Sequence, residues 1–190
     1  MDSPRHPEPS DADLVRAAQA GDRNALDQLV TRHGRRVLSV ARGVTRHRED
    51  AEDVAQEVFV RLLRTIGRVD PERPIEAWLV RLTLNAARSA RTRSPRRRED
   101  GLEAAGVGLA APPDQGRAVE EAQFRAALAE ASLVLGERER EVFLLRDVEG
   151  LEVGVIAEVF QVAEVTIRRQ SSDARRKVME WFRVHRPELL

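Results

Sequence analysis

The sequence predicts an all-α protein of two small helical domains joined by a flexible linker, the second containing a helix-turn-helix. Three observations predict it. Apolar residues recur at helical spacing in one segment after another. Glycine or proline punctuates the segment ends, at Gly21, Gly43, Gly67, Gly136 and Gly150. Between the two helical halves lies a stretch marked by Gly101, Gly106, Gly108, Pro112, Pro113 and Gly116, with no pattern of its own. At 190 residues and 42% hydrophobic content the chain is long enough for one or two modest cores. The expected division is a disordered N-terminus over 1–10, a first domain over 11–94, a linker over 95–117 and a second domain over 118–186.

Residues 1–9 are rich in proline. Ser10 or Asp11 suits the cap of a short helix that Gly21 closes. Asp22 suits the cap of the next, over roughly 23–42, where Leu26, Leu29, Val30, Val37, Leu38 and Ala41 share a face and Gly43 is the expected stop. A third helix is expected over Glu49 to Ile66, with Val54, Ala55, Val58, Phe59, Leu62, Leu63 and Ile66 on a broad apolar arc. Asp50, Asp53, Glu57, Arg61 and Arg64 share the opposite stripe. Acids leading and arginines following suit the helix dipole, and Glu57–Arg61 is at pairing distance in sequence. The same stripe is also suited to docking a partner helix, and periodicity alone does not choose.

Gly67 and the segment VDPERP make a turn, with Pro74 suited to a first helical turn. The fourth helix, from Ile75, puts Trp78, Leu79, Leu82, Ala86 and Ala90 on one arc. Arg81, Asn85, Arg88 and Thr92 form a separate polar stripe, and Ser94-Pro95 ends the helix. Residues 75–98 hold seven arginines and one acid, Glu76. A packed helix does not need that charge. A solvated helix end is the plain reading, and a phosphate backbone is the functional one. Trp78, lying on the apolar arc, is expected in the core rather than as a base-stacking platform.

The linker, as a flexible coil of about 20 residues, would span on the order of 25 Å and let the two domains sit apart. Beyond it, helices are expected over Val119–Leu135, Glu137–Val148, Glu152–Phe160 and Glu164–Arg183, the last two joined by a tight turn at Gln161–Ala163. Two short helices, a tight turn and a basic second helix read as a helix-turn-helix. Ala157 is small where helices cross, Ile167 anchors the second helix, and Arg168, Arg169, Arg175, Arg176 and Lys177 reach outward. A plain helical hairpin with a solvated basic face is the alternative.

The composition excludes several functions. The chain has no cysteine, which removes disulfides, thiolate metal sites and thiol catalysis. His6, His33, His47 and His185 have no metal-ligand spacing and are read as surface or packing residues. No cofactor is expected. No nucleophile–base pair or phosphate-binding loop is visible, so an enzyme is not expected. No run approaches the ~20 apolar residues of a membrane span and no signal peptide is evident, so the expected location is the cytoplasm. Formal net charge is zero, so the segregation of charge matters more than its total.

DAEDVAQEVFVRLLR over 50–64, IEAWLVRLTLNAARS over 75–89 and LGEREREVFLLRDVEGLEVGVIAEVF over 135–160 carry a resemblance. With them in this order, nearly all of residues 11–183 resembles an extracytoplasmic-function (group 4) sigma factor, the promoter-recognition subunit of bacterial RNA polymerase. The resemblance implies that Asp53, Gln56 and Glu57, with Asp50 beside them, grip a coiled coil of the largest polymerase subunit. It implies that Arg81, Asn85 and Arg88, with Arg91 continuing the run, read the −10 element, with Asn85 near a flipped base inside the Val69–Arg73 loop. It implies −35 reading by the helix-turn-helix through Arg168 and Arg169, with Thr166, Ser172 and Arg175 in the same candidate set. The implied partners are core RNA polymerase, promoter DNA and an anti-sigma factor. The implied action is promoter melting without any reaction of the chain's own.

The recognition helix departs from the family pattern. Gln161 stands where glycine is usual, at a cost of about 1–2 kcal/mol if the turn is left-handed. Ser171 occupies an apolar position, and Ser172 and Asp173 replace residues usually aromatic and basic. A second function class therefore stays open: a sigma-like decoy that sequesters an anti-sigma factor without binding DNA. The intact basic helix argues against it. A plain helix-turn-helix regulator leaves residues 50–64 unexplained.

Overall fold

The computed structural model describes residues 8–93 and 118–190, and among these there is no strand. Eight α-helices occur, α1 Asp11–Gln19, α2 Arg23–Thr45, α3 Arg48–Thr65, α4 Ile75–Arg93, α5 Ala118–Ala131, α6 Glu137–Phe143, α7 Val153–Phe160 and α8 Glu164–His185. The linker and the first seven residues lie outside the described residues. Residues 8–10 are fixed, against the expectation for the N-terminus. Ser10 Oγ accepts from the Asp13 N–H at 3.2 Å while Asp13 accepts from the Ser10 N–H, a reciprocal cap. Arg32 donates to the Pro9 carbonyl at 3.0 Å.

The first three helices of the sequence reading appear close to their expected places. Asp22 caps α2 through the N–H groups of Asn24 and Ala25. The difference lies at Gly43. It does not stop α2, which continues to Thr45 and closes on Arg46 in the left-handed conformation at φ 65°. Gly43 is there for space: a Cβ at that position would lie 2.6 Å from Leu144 Cδ2. In α3 the buried face is narrower than the sequence suggests. Ala51, Val54, Val58 and Leu62 are buried, whereas Leu63 is 52% exposed. In α4 the deepest residues are Ile75, Ala77, Leu79, Val80, Thr83, Leu84 and Ala87. Trp78, Leu82, Ala86 and Ala90 flank them as half-buried packing. A helix pressed from two sides buries a wider arc than a single-arc reading assigns to it.

That second side comes from the other half of the chain. Val142, Leu144, Leu145, Leu151, Ile156, Val159 and Ile167 join the same apolar cluster as Leu29, Leu62, Leu79 and Leu84. The two halves thus share a core across a seam, rather than sitting apart. A smaller core of Ala127, Leu135, Phe143, Ala174, Val178 and Phe182 belongs to the second half alone. Phe124 is only part-covered, stacking on Phe182 at 5.8 Å.

Two further boundaries differ from expectation. α5 tightens into a 3₁₀ turn over Ser132–Val134, so the helix is shorter than Val119–Leu135. α6 passes into a π turn over Leu144–Val148. The wider turn carries the chain from Leu144, which enters the Gly43 notch, to Leu151, whose N–H donates to the Leu145 carbonyl at 2.9 Å. The α7–α8 turn is as expected, with Gln161 left-handed at φ 56°. Ser171 is 5% exposed, on the packing face of α8.

Candidate nucleic-acid interface and docking face

Three surfaces collect the candidate residues. The first is the outer stripe of α3. Asp53, Gln56 and Glu57 are exposed and make no hydrogen bond or ion pair with other described residues, and Asp50 is half-buried beside them. The expected Glu57–Arg61 pair does not form. Val60, 39% exposed, and Leu63 continue the stripe at helical spacing. An apolar centre flanked by the exposed Asp53 and Glu57 is what a partner's basic, amphipathic helix would engage. The sequence places Leu63 on the apolar arc without showing that it faces outward. Its signal was an apolar arc wider than one packed neighbour could cover. An open groove lined by Asp50, Asp53, Val54, Glu57, Ala90 and Arg93 runs beside the acids.

The second surface is the polar face of α4. Arg81 is half-buried and lines a hollow of about 240 Å³ with Arg68, Asp70, Arg73, Trp78 and Glu158. Trp78 packs against the core, as expected, and is also among the residues that line this hollow. Asn85 is exposed, and its side-chain oxygen accepts from Arg88 Nη1 at 3.2 Å. Arg88 and Arg91 are not free. Arg88 makes a two-point contact with Glu141, Nε to Oε1 at 2.7 Å and Nη2 to Oε2 at 2.6 Å. Glu141 is only 5% exposed, and its hydrogen bonds hold the Arg88 guanidinium above its ordinary pKa. Arg91 pairs with Glu137. The α4 stripe thus carries one open half, Arg81 and Asn85, and one half engaged by α6.

The third surface is α8. Arg168, Arg169, Ser172 and Arg175 share an exposed stripe, with Thr166 at its edge. Arg168 pairs with Glu164, Arg169 approaches Asp173 at 4.0 Å, and Arg175 pairs with Asp147. Burial pushes the Asp147 carboxyl up, against the opposing pull of Arg175. Val165, 68% exposed in the first turn of α8, is a residue the sequence reading missed. An apolar side chain there is suited to a thymine methyl in a major groove. Its only sequence signal is its place right after the turn.

His33 is buried with Nε2 2.9 Å from Asp11 Oδ2, a packing role. Among the described residues no group of His, Asp and Glu is placed to hold a metal ion. No helix among them is long and apolar enough to cross a membrane.

Comparison with known proteins bears on all three surfaces. Residues 29–98 match the family model for Sigma-70 region 2, and residues 125–178 match that for Sigma-70, region 4. The chain is 33% identical over 184 residues to the RNA polymerase sigma factor CnrH of Cupriavidus metallidurans, covering 90% of this chain and 94% of that protein. It is 32% identical over 178 residues to the ECF RNA polymerase sigma factor SigM of Mycobacterium tuberculosis, covering 92% and 85%. Among solved structures, CnrH in complex with the cytosolic domain of CnrY superposes with a TM-score of 0.70 at 27% identity, over 92% of this chain and 98% of that one.

Proposed function

This chain belongs to the extracytoplasmic-function group of the sigma-70 family, and from that premise we propose that it docks on core RNA polymerase, directs it to specific promoters and helps melt them. Sigma factors are transcription initiation factors rather than enzymes, and the work is binding energy alone. Asp53, Gln56 and Glu57, with Val60 and Leu63 behind them, are the docking contacts. Arg81 and Asn85 read the −10 strand beside phosphate contacts from Arg88 and Arg91, and the hollow walled by Trp78 and Arg81 takes an extruded base. Arg168, Arg169, Ser172, Arg175 and Thr166 face the −35 duplex. Separate family-model matches over 29–98 and 125–178 support treating 11–94 and 118–186 as the two working units. The chain works in the cytoplasm, and an anti-sigma protein is its off-state partner; that CnrH is seen bound to the cytosolic domain of CnrY supports a protein partner held there.

One observation carries this reading. The side chains of Asp53 and Glu57 stand on an exposed stripe of α3 and make no ion pair with other described residues, outside the seam that joins the halves. The test is a pull-down with bacterial core polymerase. The chain is expected to be retained, and Asp53→Ala with Glu57→Ala to be lost. No retention of the parent chain would refute the proposal and favour the decoy.

A further inference from the structure

The seam places the second domain on the DNA-reading face of the first, and its contacts are carboxylates. Glu141 clamps Arg88 at two points, Glu137 pairs with Arg91, and Glu158 comes within 3.9 Å of Arg73 at the mouth of the hollow. A fourth acid, Glu149, accepts from Ser39 Oγ at 2.5 Å on α2. A carboxylate offers a guanidinium the same two-oxygen geometry that a phosphate does. We propose that the acidic face of α6 and α7 is an internal mimic of the DNA backbone, which closes the free chain over α4 and must be displaced before a single strand can bind. This rests on the reading of α4 as the −10 contact surface.

The seam combines two kinds of adhesion. Leu144 enters the notch left by Gly43 and, with Val142 and Ile156, extends the first domain's core. These apolar contacts hold the halves together without choosing a register. The acid–arginine pairs choose it, because Glu141 must meet Arg88 or remain buried without a partner. The latch is also built to open. Arg46 is half-buried at the same seam and makes no ion pair with other described residues. Burial first, then the neighbouring guanidinium groups of Arg140 and Arg91, pull its pKa down. Like charges gathered around Glu137 oppose closure, so a partner that separates the domains relieves that repulsion. The −35 stripe of α8 and the docking stripe of α3 lie outside the seam, which leaves both available to start the opening.

The test uses the full chain. It has no cysteine, so Gln28→Cys and Arg183→Cys give two clean sites for spin labels. Two variants open the latch by different means. Glu137→Gln with Glu141→Gln removes the mimic's charge. Gly43→Leu wedges Leu144 out of its notch and changes no charge. The parent chain is expected to give one short distance by pulsed electron resonance. Both variants are expected to shift it to a longer, broader population, and both to bind labelled random-sequence single-stranded DNA at least about fivefold more tightly, because a closed state reduces apparent affinity by the fraction open. Distances unchanged in both variants would overturn the latch. Tighter DNA binding by the glutamine variant alone, with no change in distance, would be a bare charge effect and would also overturn it. Opening without a gain in DNA binding would overturn the mimicry. Whether the α4 reading itself has failed is judged separately, by promoter opening with Arg81 and Asn85 variants in complex with polymerase.

Discussion

The two basic helices, α4 and α8, keep their arginines in check by different means. In α4 the acids come from the other half of the chain: Glu141 to Arg88 and Glu137 to Arg91. In α8 most come from the same helix: Glu164 to Arg168, Asp173 to Arg169 and Arg176, and Glu180 to Arg176. The difference is energetic. An exposed pair within a helix contributes only a few tenths of a kcal/mol and yields readily to a phosphate. A pair with one buried partner leaves an uncompensated charge when it breaks, so it yields only when the whole seam moves. One helix is screened locally, and the other is gated by domain position.

The largest effect expected from this contrast is on α4. Arg81→Ala with Asn85→Ala removes the two proposed reading contacts, neither of which pairs with a carboxylate of the second domain. Promoter opening by the polymerase complex is expected to fall on the order of 100-fold, with pull-down by polymerase unchanged. Equal loss of both would mean that α4 is structural only. Next comes α8. Asp173→Asn frees Arg169 and Arg176 and removes a charge facing the phosphates. Binding to −35 duplex is expected to tighten about threefold, with a steeper salt dependence. No change in either quantity would show that the stripe does not meet DNA.

A smaller effect is expected at the turn that aims α8. Gln161 sits at φ 56°, so Gln161→Gly relieves about 1 kcal/mol and raises Tm by about 2–4 °C. A lower Tm would place the cost elsewhere. The smallest concerns the base of α6. A hydrogen bond from Lys177 first, and one from the Gly136 N–H, hold the Glu139 carboxyl below its ordinary pKa. Its contribution is therefore present above the ordinary carboxylate value and lost as pH falls through the lowered one. Glu139→Gln is expected to flatten that acid limb of the stability curve, measured by denaturant titration at several pH values. An unchanged limb would remove Glu139 from the support of α6.

Much of this was legible in the residues. Ser10 and Asp22 announce their caps, because a side-chain oxygen ahead of an apolar run has a backbone N–H to satisfy. Gln161 takes the left-handed conformation where the resemblance implies glycine is usual, and Ser171, four residues after Ile167, lies on the packing face where helical spacing puts it. Asp53 and Glu57 could be placed on one stripe of α3, though not shown to be exposed. Gly43 was misread as a stop because a glycine in a helix looks the same whether it ends the helix or admits a neighbour. Leu63 sits on the apolar arc of α3 yet is exposed, because an apolar side chain reads alike whether it faces the interior or solvent.

The sequence by itself determined the helices, their caps and which faces carry charge, since these depend on spacings of three and four residues along one chain. Only the tertiary structure decided that Glu137 and Glu141 lie on the arginines of α4, and Glu158 beside Arg73 just ahead of it. Ion pairing across a seam depends on which helices meet and in what register. Distant apolar contacts such as Leu144 in the Gly43 notch bring those helices together, and no local pattern around GEREREVF encodes which side chains then meet.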